Sequence, residues 1–112
     1  MEIEITHHSQ DIIEFTPKND LDTYTAQDFS EKLAQMIDSG ARNLVLNFKN
    51  IDYVSSLGIG EIIQGWDRLR TEGGKMKFAC MSDVVYKIFK VVGLTVRFEI
   101  YQTLEEALHS FT

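Results

Sequence analysis

The sequence predicts a single α/β domain, residues 1–112, in which about four helices pack on a mixed, mostly parallel sheet of four to five strands preceded by an N-terminal β-hairpin. Three observations predict this class. Two short segments rich in β-branched and aromatic residues stand near the start of the chain, strand-like and helical apolar patterns alternate after them, and 112 residues suffice for one hydrophobic core. Strands separated by helices pair in parallel through right-handed crossovers, so only the hairpin is expected to be antiparallel.

The strands are predicted from short apolar segments. In residues 3–5 isoleucine alternates with an acid, and residues 12–15 are β-branched or aromatic, so these segments are expected to pair around the polar turn at 7–10. Three further strands are predicted at 43–48, 76–81 and 97–101. The segment 43–48 is apolar enough for a central strand that is covered on both faces.

The first two helices are predicted from apolar residues at helical spacing. The first covers about 23–39, where Thr25 with Asp28 resembles a capping box and Gly40 stands at the expected end. The second follows the segment 53–58 and ends at the glycine pair 73–74. The apolar residues of the two helices are Ala26, Phe29, Leu33, Met36 and Ile37, and Ile59, Ile62, Ile63, Trp66 and Leu69.

Two shorter helices are predicted in the C-terminal part. Ser82 is expected to open the third helix and Gly93 to end it. The segment 103–106 is a capping box by sequence and is expected to open the closing helix. The apolar residues of the two helices are Val85, Ile88, Phe89 and Val92, and Leu104, Ala107, Leu108 and Phe111.

Composition excludes several classes of function. Eleven Lys and Arg against seventeen Asp and Glu give a net charge of −6, which disfavours direct binding to nucleic acid or to an anionic membrane. The first residues are acidic where a signal peptide needs base, and no apolar run approaches the ~18 residues of a membrane span. A cytoplasmic protein is expected. The single cysteine, Cys80, forms no intramolecular disulfide and is expected to be an inert thiol in a core strand.

No motif supports catalysis or a cofactor. Neither a Walker loop nor a nucleophile elbow is present, and Gly58 and Gly60 lack the third glycine of a dinucleotide-binding loop, since residue 63 is isoleucine. No metal site is expected, because His7 and His8 would point to opposite faces of a strand and His109 lies far along the chain. A small α/β enzyme or nucleotide-binding protein is therefore the least supported alternative.

Several segments resemble the STAS domain, the fold of bacterial anti-sigma-factor antagonists and of the cytoplasmic tail of sulfate transporters. Residues 51–60, Ile-Asp-Tyr-Val-Ser-Ser-Leu-Gly-Ile-Gly, are similar to the signature loop of that family. The resemblance extends over nearly the whole chain and includes the segments 21–26, 43–48, 73–74 and 92–94.

The resemblance implies a non-enzymatic protein that binds a partner through the signature loop. Ser56 matches the serine that is phosphorylated by a GHKL-type anti-sigma factor kinase and reset by a PP2C-type phosphatase. Ser55 and Leu57 replace the usual Asp and Ser/Thr, so a second hypothesis is a non-phosphorylated structural or sensory subunit of a transporter or signalling complex. The expected partner-binding residues are Asp22, Tyr53, Ser55, Ser56, Leu57 and Gly58.

These residues also have purely structural interpretations. One of the two serines is expected to cap the second helix, and Asp22 could be a local turn residue. Tyr53 is expected to lie in the core, whereas Leu57 is either an exposed contact or a buried anchor. Glycines inside a helix are unfavourable by roughly 1 kcal/mol each relative to alanine. Close helix packing, or a thin first turn that a partner can approach, would explain Gly58, Gly60 and Gly65.

Overall fold

A computed structural model describes residues Met1–Thr112 as a five-stranded sheet with helices on both faces. The strands are β1 Ile3–His7, β2 Ile12–Pro17, β3 Asn43–Asn47, β4 Lys75–Ala79 and β5 Ile100–Tyr101. The helices are α1 Ala26–Asp38, α2 Ser56–Thr71, α3 Asp83–Val91 and α4 Leu104–His109. The longest has 16 residues, and none combines the length and apolar content that a membrane span requires.

The strand order confirms the predicted α/β class. The sheet runs β1-β2-β3-β4-β5, with β1 antiparallel to β2 and every other neighbouring pair parallel. The carboxyl ends of β2 to β5 therefore share one edge of the sheet. The loops before α2 and α3 leave from this edge, which is the usual position of binding sites in open α/β sheets.

All three strands predicted after the hairpin are shorter in the structure, and β3, predicted at 43–48, lacks only its last residue. Residues 97–101 were expected to be a strand, but Leu94–Val96 forms a 3-10 turn and only two residues pair with β4. Phe98, just before β5, is buried in the core instead. β4 ends at Ala79 and not at residue 81, because Cys80 leaves the extended region with φ 64°. Cys80 is thus half-buried after the strand and not inside it; burial raises the pKa of its thiol.

The start of α1 also differs from the prediction. The helix begins at Ala26, and the expected capping box of Thr25 with Asp28 is wrong. Thr25 Oγ1 instead donates to the carbonyl oxygen of Asp20 at 2.6 Å. Asp22 Oδ1 accepts from the backbone N–H of Thr25 at 2.9 Å, so a turn stabilised by the aspartate precedes the helix. At the other end of the chain the predicted capping box of Thr103 and Glu106 is confirmed.

The main core lies under α1, α2 and α3. It contains an aromatic cluster in which the ring of Phe78 is 5.9 Å from Phe48, 6.1 Å from Phe89 and 4.7 Å from Phe98, measured between centroids. A smaller apolar cluster lies under α4 on the other face of the sheet and comprises Ile12, Val45, Ala79 and Ala107. The aromatic cluster fills the space under the helices that follow β3 and β4.

A polar network crosses strands β2 and β3. Glu14 is only 7% exposed; its carboxylate accepts from Asn47 Nδ2 at 2.8 Å and Thr16 Oγ1 at 3.1 Å and is paired with His8 Nε2 at 2.8 Å. Burial alone would raise the pKa of Glu14. The hydrogen bonds from Asn47, His8 and Thr16 and the charge of His8 outweigh burial and hold that pKa below its ordinary value of 4.5.

This network predicts a specific acid sensitivity. Because the folded-state pKa of Glu14 is depressed, its ionisation stabilises the fold above the unfolded-state value near 4.5, and this stabilisation is lost as the pH falls through the folded-state pKa. In urea unfolding between about pH 6 and 3, the wild-type free energy of unfolding should fall more steeply than that of Glu14→Gln. Parallel pH profiles for the two proteins would contradict this role of Glu14.

Candidate functional site

The loop between β3 and α2 is held against the segment that follows β2. Leu21 and Val54 form an isolated parallel bridge. The N–H of Leu21 donates to the carbonyl of Tyr53 at 3.2 Å, and the N–H of Ser55 donates to the carbonyl of Leu21 at 2.7 Å. Asp20 Oδ1 also accepts from the N–H of Asp52 at 2.8 Å. These bonds bring Asp22 and the two serines to the same edge of the sheet.

The adjacent serines have different environments. Ser55 is the N-cap of α2: it is 7% exposed, and its Oγ accepts from the N–H of Gly58 at 3.1 Å. Ser56 is the first residue of the helix and its side chain is exposed. Helix capping therefore accounts for Ser55 and leaves Ser56 without a structural explanation of that kind.

The two serines should respond differently to substitution. Ser55→Ala leaves the N–H of Gly58 without its capping partner and should lower the free energy of unfolding by about 1 kcal/mol. Ser56→Ala removes an exposed hydroxyl and should change stability by less than about 0.5 kcal/mol. Urea denaturation of both variants measures the difference. Equal effects on stability would show that the capping assignment is wrong.

Close packing explains two of the three helical glycines. A Cβ on Gly58 would lie 3.0 Å from Leu21 Cβ, Leu21 O and Val54 Cγ1, and one on Gly65 would lie 2.4 Å from Leu33 Cδ2 of α1. A Cβ on Gly60 would meet no atom within 4 Å, so packing does not require glycine there. The glycine at 58 thus lets the start of α2 approach the segment that carries Asp22.

Asp22 closes the turn beside this helix terminus. Its Oδ1 accepts from the N–H groups of Tyr24 at 2.8 Å and Thr25 at 2.9 Å. Hydrogen bonds from these backbone groups, with that of Thr25 contributing most, lower the pKa of Asp22. The structure therefore shows the local turn function of Asp22, and the preceding residue, Leu21, is hydrogen-bonded to Tyr53 and Ser55 of the loop before α2.

Several apolar side chains are exposed in the two segments that the Leu21–Val54 bridge joins. Leu57 is 46% exposed, Tyr53 51% and Tyr24 90%. The expectation that Tyr53 lies in the core is wrong: Val54 is the buried residue of this extended segment, and successive side chains point to opposite sides. Leu57 is an exposed residue and not a buried anchor. Sequence reasoning missed Tyr24, although it lies within the segment 21–26 that resembles the STAS domain.

The neighbouring helix adds another exposed apolar residue. α3 begins after β4, the strand beside β3, so the first turns of α2 and α3 lie at the same edge of the sheet. Val84, in the first turn of α3, is 61% exposed. We use the name serine face for the exposed residues Tyr24, Tyr53, Ser56, Leu57 and Val84. These residues lie in segments that leave the carboxyl-end edge of the sheet, and exposed apolar groups of this kind are typical of a protein interaction surface.

Comparison with known proteins identifies the family. The family model of the STAS domain matches residues 3–107. The chain belongs to the STAS domain family. A curated relative of this STAS domain, the anti-sigma-B factor antagonist of Staphylococcus aureus strain NCTC 8325, is 28% identical over 75 residues, which are 67% of this chain and 69% of the relative.

Solved structures share the fold of this STAS domain. The anti-sigma factor antagonist SpoIIAA in its unphosphorylated form superposes with a TM-score of 0.83 at 21% identity, covering 98% of this chain and 96% of its own. The Bacillus cell fate determinant SpoIIAA in the phosphorylated form gives a TM-score of 0.77 at 20% identity, covering 99% and 100%.

The start of α2 explains one departure of this loop from the usual STAS motif. Ser55 stands where the motif usually has aspartate, and both residue types are preferred N-caps because each offers an oxygen to a first-turn N–H. The bond from Gly58 to Ser55 shows that the serine fulfils this function. The substitution therefore keeps the helix start and removes one negative charge beside Ser56.

Proposed function

We propose that this STAS domain is an anti-sigma factor antagonist that binds an anti-sigma factor through the serine face and is regulated by phosphorylation of Ser56. The observation that supports this proposal best is the division of tasks between the two serines. Ser55 is buried and holds the helix terminus, whereas Ser56 is exposed beside it. A kinase can therefore reach the Ser56 hydroxyl without any change to the helix cap.

A phosphate at Ser56 is compatible with the fold. It adds about −1.5 to −2 charges in the first turn of α2, where the helix dipole and free N–H groups favour an anion. The neutral cap at Ser55 adds no repulsion there. A partner docked over Leu57 would instead meet a bulky charge that must be desolvated, so the complex should weaken while the domain stays folded.

The partners we propose are a GHKL-type anti-sigma factor that is also the Ser56 kinase, and a PP2C-type phosphatase that resets the switch, all in the cytoplasm. The second candidate function is an unphosphorylated subunit of a transporter or signalling complex. It is favoured by Leu57, an exposed apolar residue at the position where the motif usually has a second hydroxyl. Both functions use the serine face, and they differ in whether Ser56 receives a phosphate.

A binding experiment tests the proposed antagonist function. The purified protein is titrated with the anti-sigma factors encoded in its own genome, and affinity is measured by calorimetry. Leu57→Glu introduces an unpaired charge into the contact and should weaken the complex at least about tenfold.

The matched control is Ile5→Glu. Ile5 is 40% exposed and lies on β1, the outer strand of the sheet on the side farthest from β5. This variant should bind like the wild type. The proposal is wrong if no anti-sigma factor binds, or if Leu57→Glu and Ile5→Glu bind with equal affinity.

A further inference from the structure

A cleft opens at the carboxyl ends of β4 and β5, between the start of α3 and the turn into α4. Its volume of about 410 Å³ is within the range of small-ligand pockets. Ligands of open α/β sheets usually bind at this end of the strands. The residues that line the cleft are Met81, Asp83, Tyr86, Ile100, Tyr101 and Gln102.

The lining combines one charge with aromatic and apolar groups. Asp83 provides the only charged side chain, and its carboxylate takes part in none of the ion pairs of the protein. Tyr86 is 42% exposed, so its ring is accessible. Tyr101 is held in place by a hydrogen bond between its hydroxyl and Glu99 Oε1 at 3.0 Å. Met81 and Ile100 are half-buried and add apolar surface.

This chemistry selects among ligand classes. A phosphate or carboxylate would face the full negative charge of Asp83, and no cationic side chain lines the cleft to pair with it. Asp83 is the first residue of α3, and its full charge exceeds the partial positive charge of about half a unit at that helix terminus. A calcium or magnesium site is not favoured, because the lining supplies one carboxylate and one amide and no group of three or more His, Cys, Asp or Glu side chains is present. A small organic cation fits, because tyrosine rings and a carboxylate attract positive charge and apolar walls accommodate methyl groups.

We propose that this cleft binds a small organic cation of the alkylammonium class, with its nitrogen beside Asp83 and its methyl groups against the rings of Tyr86 and Tyr101. The proposal is independent of the anti-sigma factor antagonist function. It assigns a ligand site to the edge of the sheet next to the serine face.

The test is an NMR titration of the ¹⁵N-labelled protein with choline, up to about 50 mM because single cation–aromatic contacts give weak binding. The control ligand is 3,3-dimethylbutan-1-ol, which has the shape of choline and no charge. Choline should cause saturable shifts of the amides at 81–86 and 100–102. The neutral alcohol should bind at least about tenfold more weakly.

Variants separate the charge from the aromatic ring. Asp83→Asn should weaken choline binding up to about fivefold, as expected for an exposed charge pair. Tyr86→Leu should weaken it about two- to fivefold, while Tyr86→Phe retains binding. The control Glu105→Gln, an exposed first-turn carboxylate of α4 outside this lining, should bind like the wild type. The proposal is overturned if the choline titration does not saturate or if the amide shifts are centred elsewhere in the protein. It is also overturned if the neutral alcohol binds as tightly as choline, or if Asp83→Asn binds choline like the wild type.

Discussion

Ser56→Asp is expected to weaken the complex with the anti-sigma factor about 100-fold. The exposed Ser56 lies in the first turn of α2, and Tyr53 and Leu57, close to it in sequence, are also exposed. A carboxylate there would have to be desolvated under the partner. The fold of the Ser56→Asp variant should be unaffected, since negative charge is favourable at a helix N-terminus.

The comparison that isolates this effect uses Ser56→Ala and Ser9→Asp. Ser56→Ala should bind within about threefold of the wild type because it adds neither bulk nor charge. Ser9→Asp adds the same charge in the exposed 3-10 turn before β2, at the opposite edge of the sheet, and should bind normally. If Ser9→Asp weakens the complex as much as Ser56→Asp, overall charge and not the serine face controls binding.

Phe78→Ala should cause the largest loss of stability, about 3–5 kcal/mol in the free energy of unfolding. Phe78 is fully buried in β4, and its ring contacts three other phenylalanine rings. The truncation leaves a cavity under α2 and α3 that this rigid aromatic cluster cannot fill. Urea denaturation measures the loss.

Phe78→Leu is the matched variant, since it keeps most of the side-chain volume. It should lose about half as much stability as Phe78→Ala or less. A loss below about 1 kcal/mol for Phe78→Ala would show that the aromatic cluster is not the centre of the core.

Elements with strong local patterns were predictable from the sequence, and elements fixed by tertiary contacts were not. α2, α3 and α4 carry apolar residues at helical spacing and begin at polar N-caps, so their presence follows from periodicity and capping. The predicted length of β5 is too great, because the apolar Phe98 resembles a strand residue. In the structure it packs on Trp66 of α2, with ring centroids 5.1 Å apart.

The burial of two charged residues on the sheet was also not predictable from the sequence. Lys77 lies inside β4 and is 3% exposed, and its Nζ donates to Ser110 Oγ at 2.9 Å near the end of the chain. Glu14 is also buried, and its carboxylate is hydrogen-bonded to Asn47 and His8. Alternation of polar and apolar residues normally indicates a solvated strand face, and only the tertiary structure shows that partners from distant segments compensate these two charges.

At the candidate site, the motif located the loop but not the orientation of each side chain. The positions of Ser55 and Ser56 could not be distinguished from the sequence, because either can precede a helix and only the bond to Gly58 assigns the cap. Tyr53 is exposed, contrary to the expectation of a core position, because alternation with the buried Val54 turns its side chain outwards.

Intact-mass spectrometry of the protein incubated with ATP and the anti-sigma factor kinase that it binds tests the central claim most directly, with Ser56→Ala and Ser55→Ala as paired variants. We expect one phosphate on the wild type and on Ser55→Ala, and none on Ser56→Ala. A stable complex in which the wild type gains no phosphate, or a phosphate that persists in Ser56→Ala, would contradict the assignment of Ser56 as the regulatory switch.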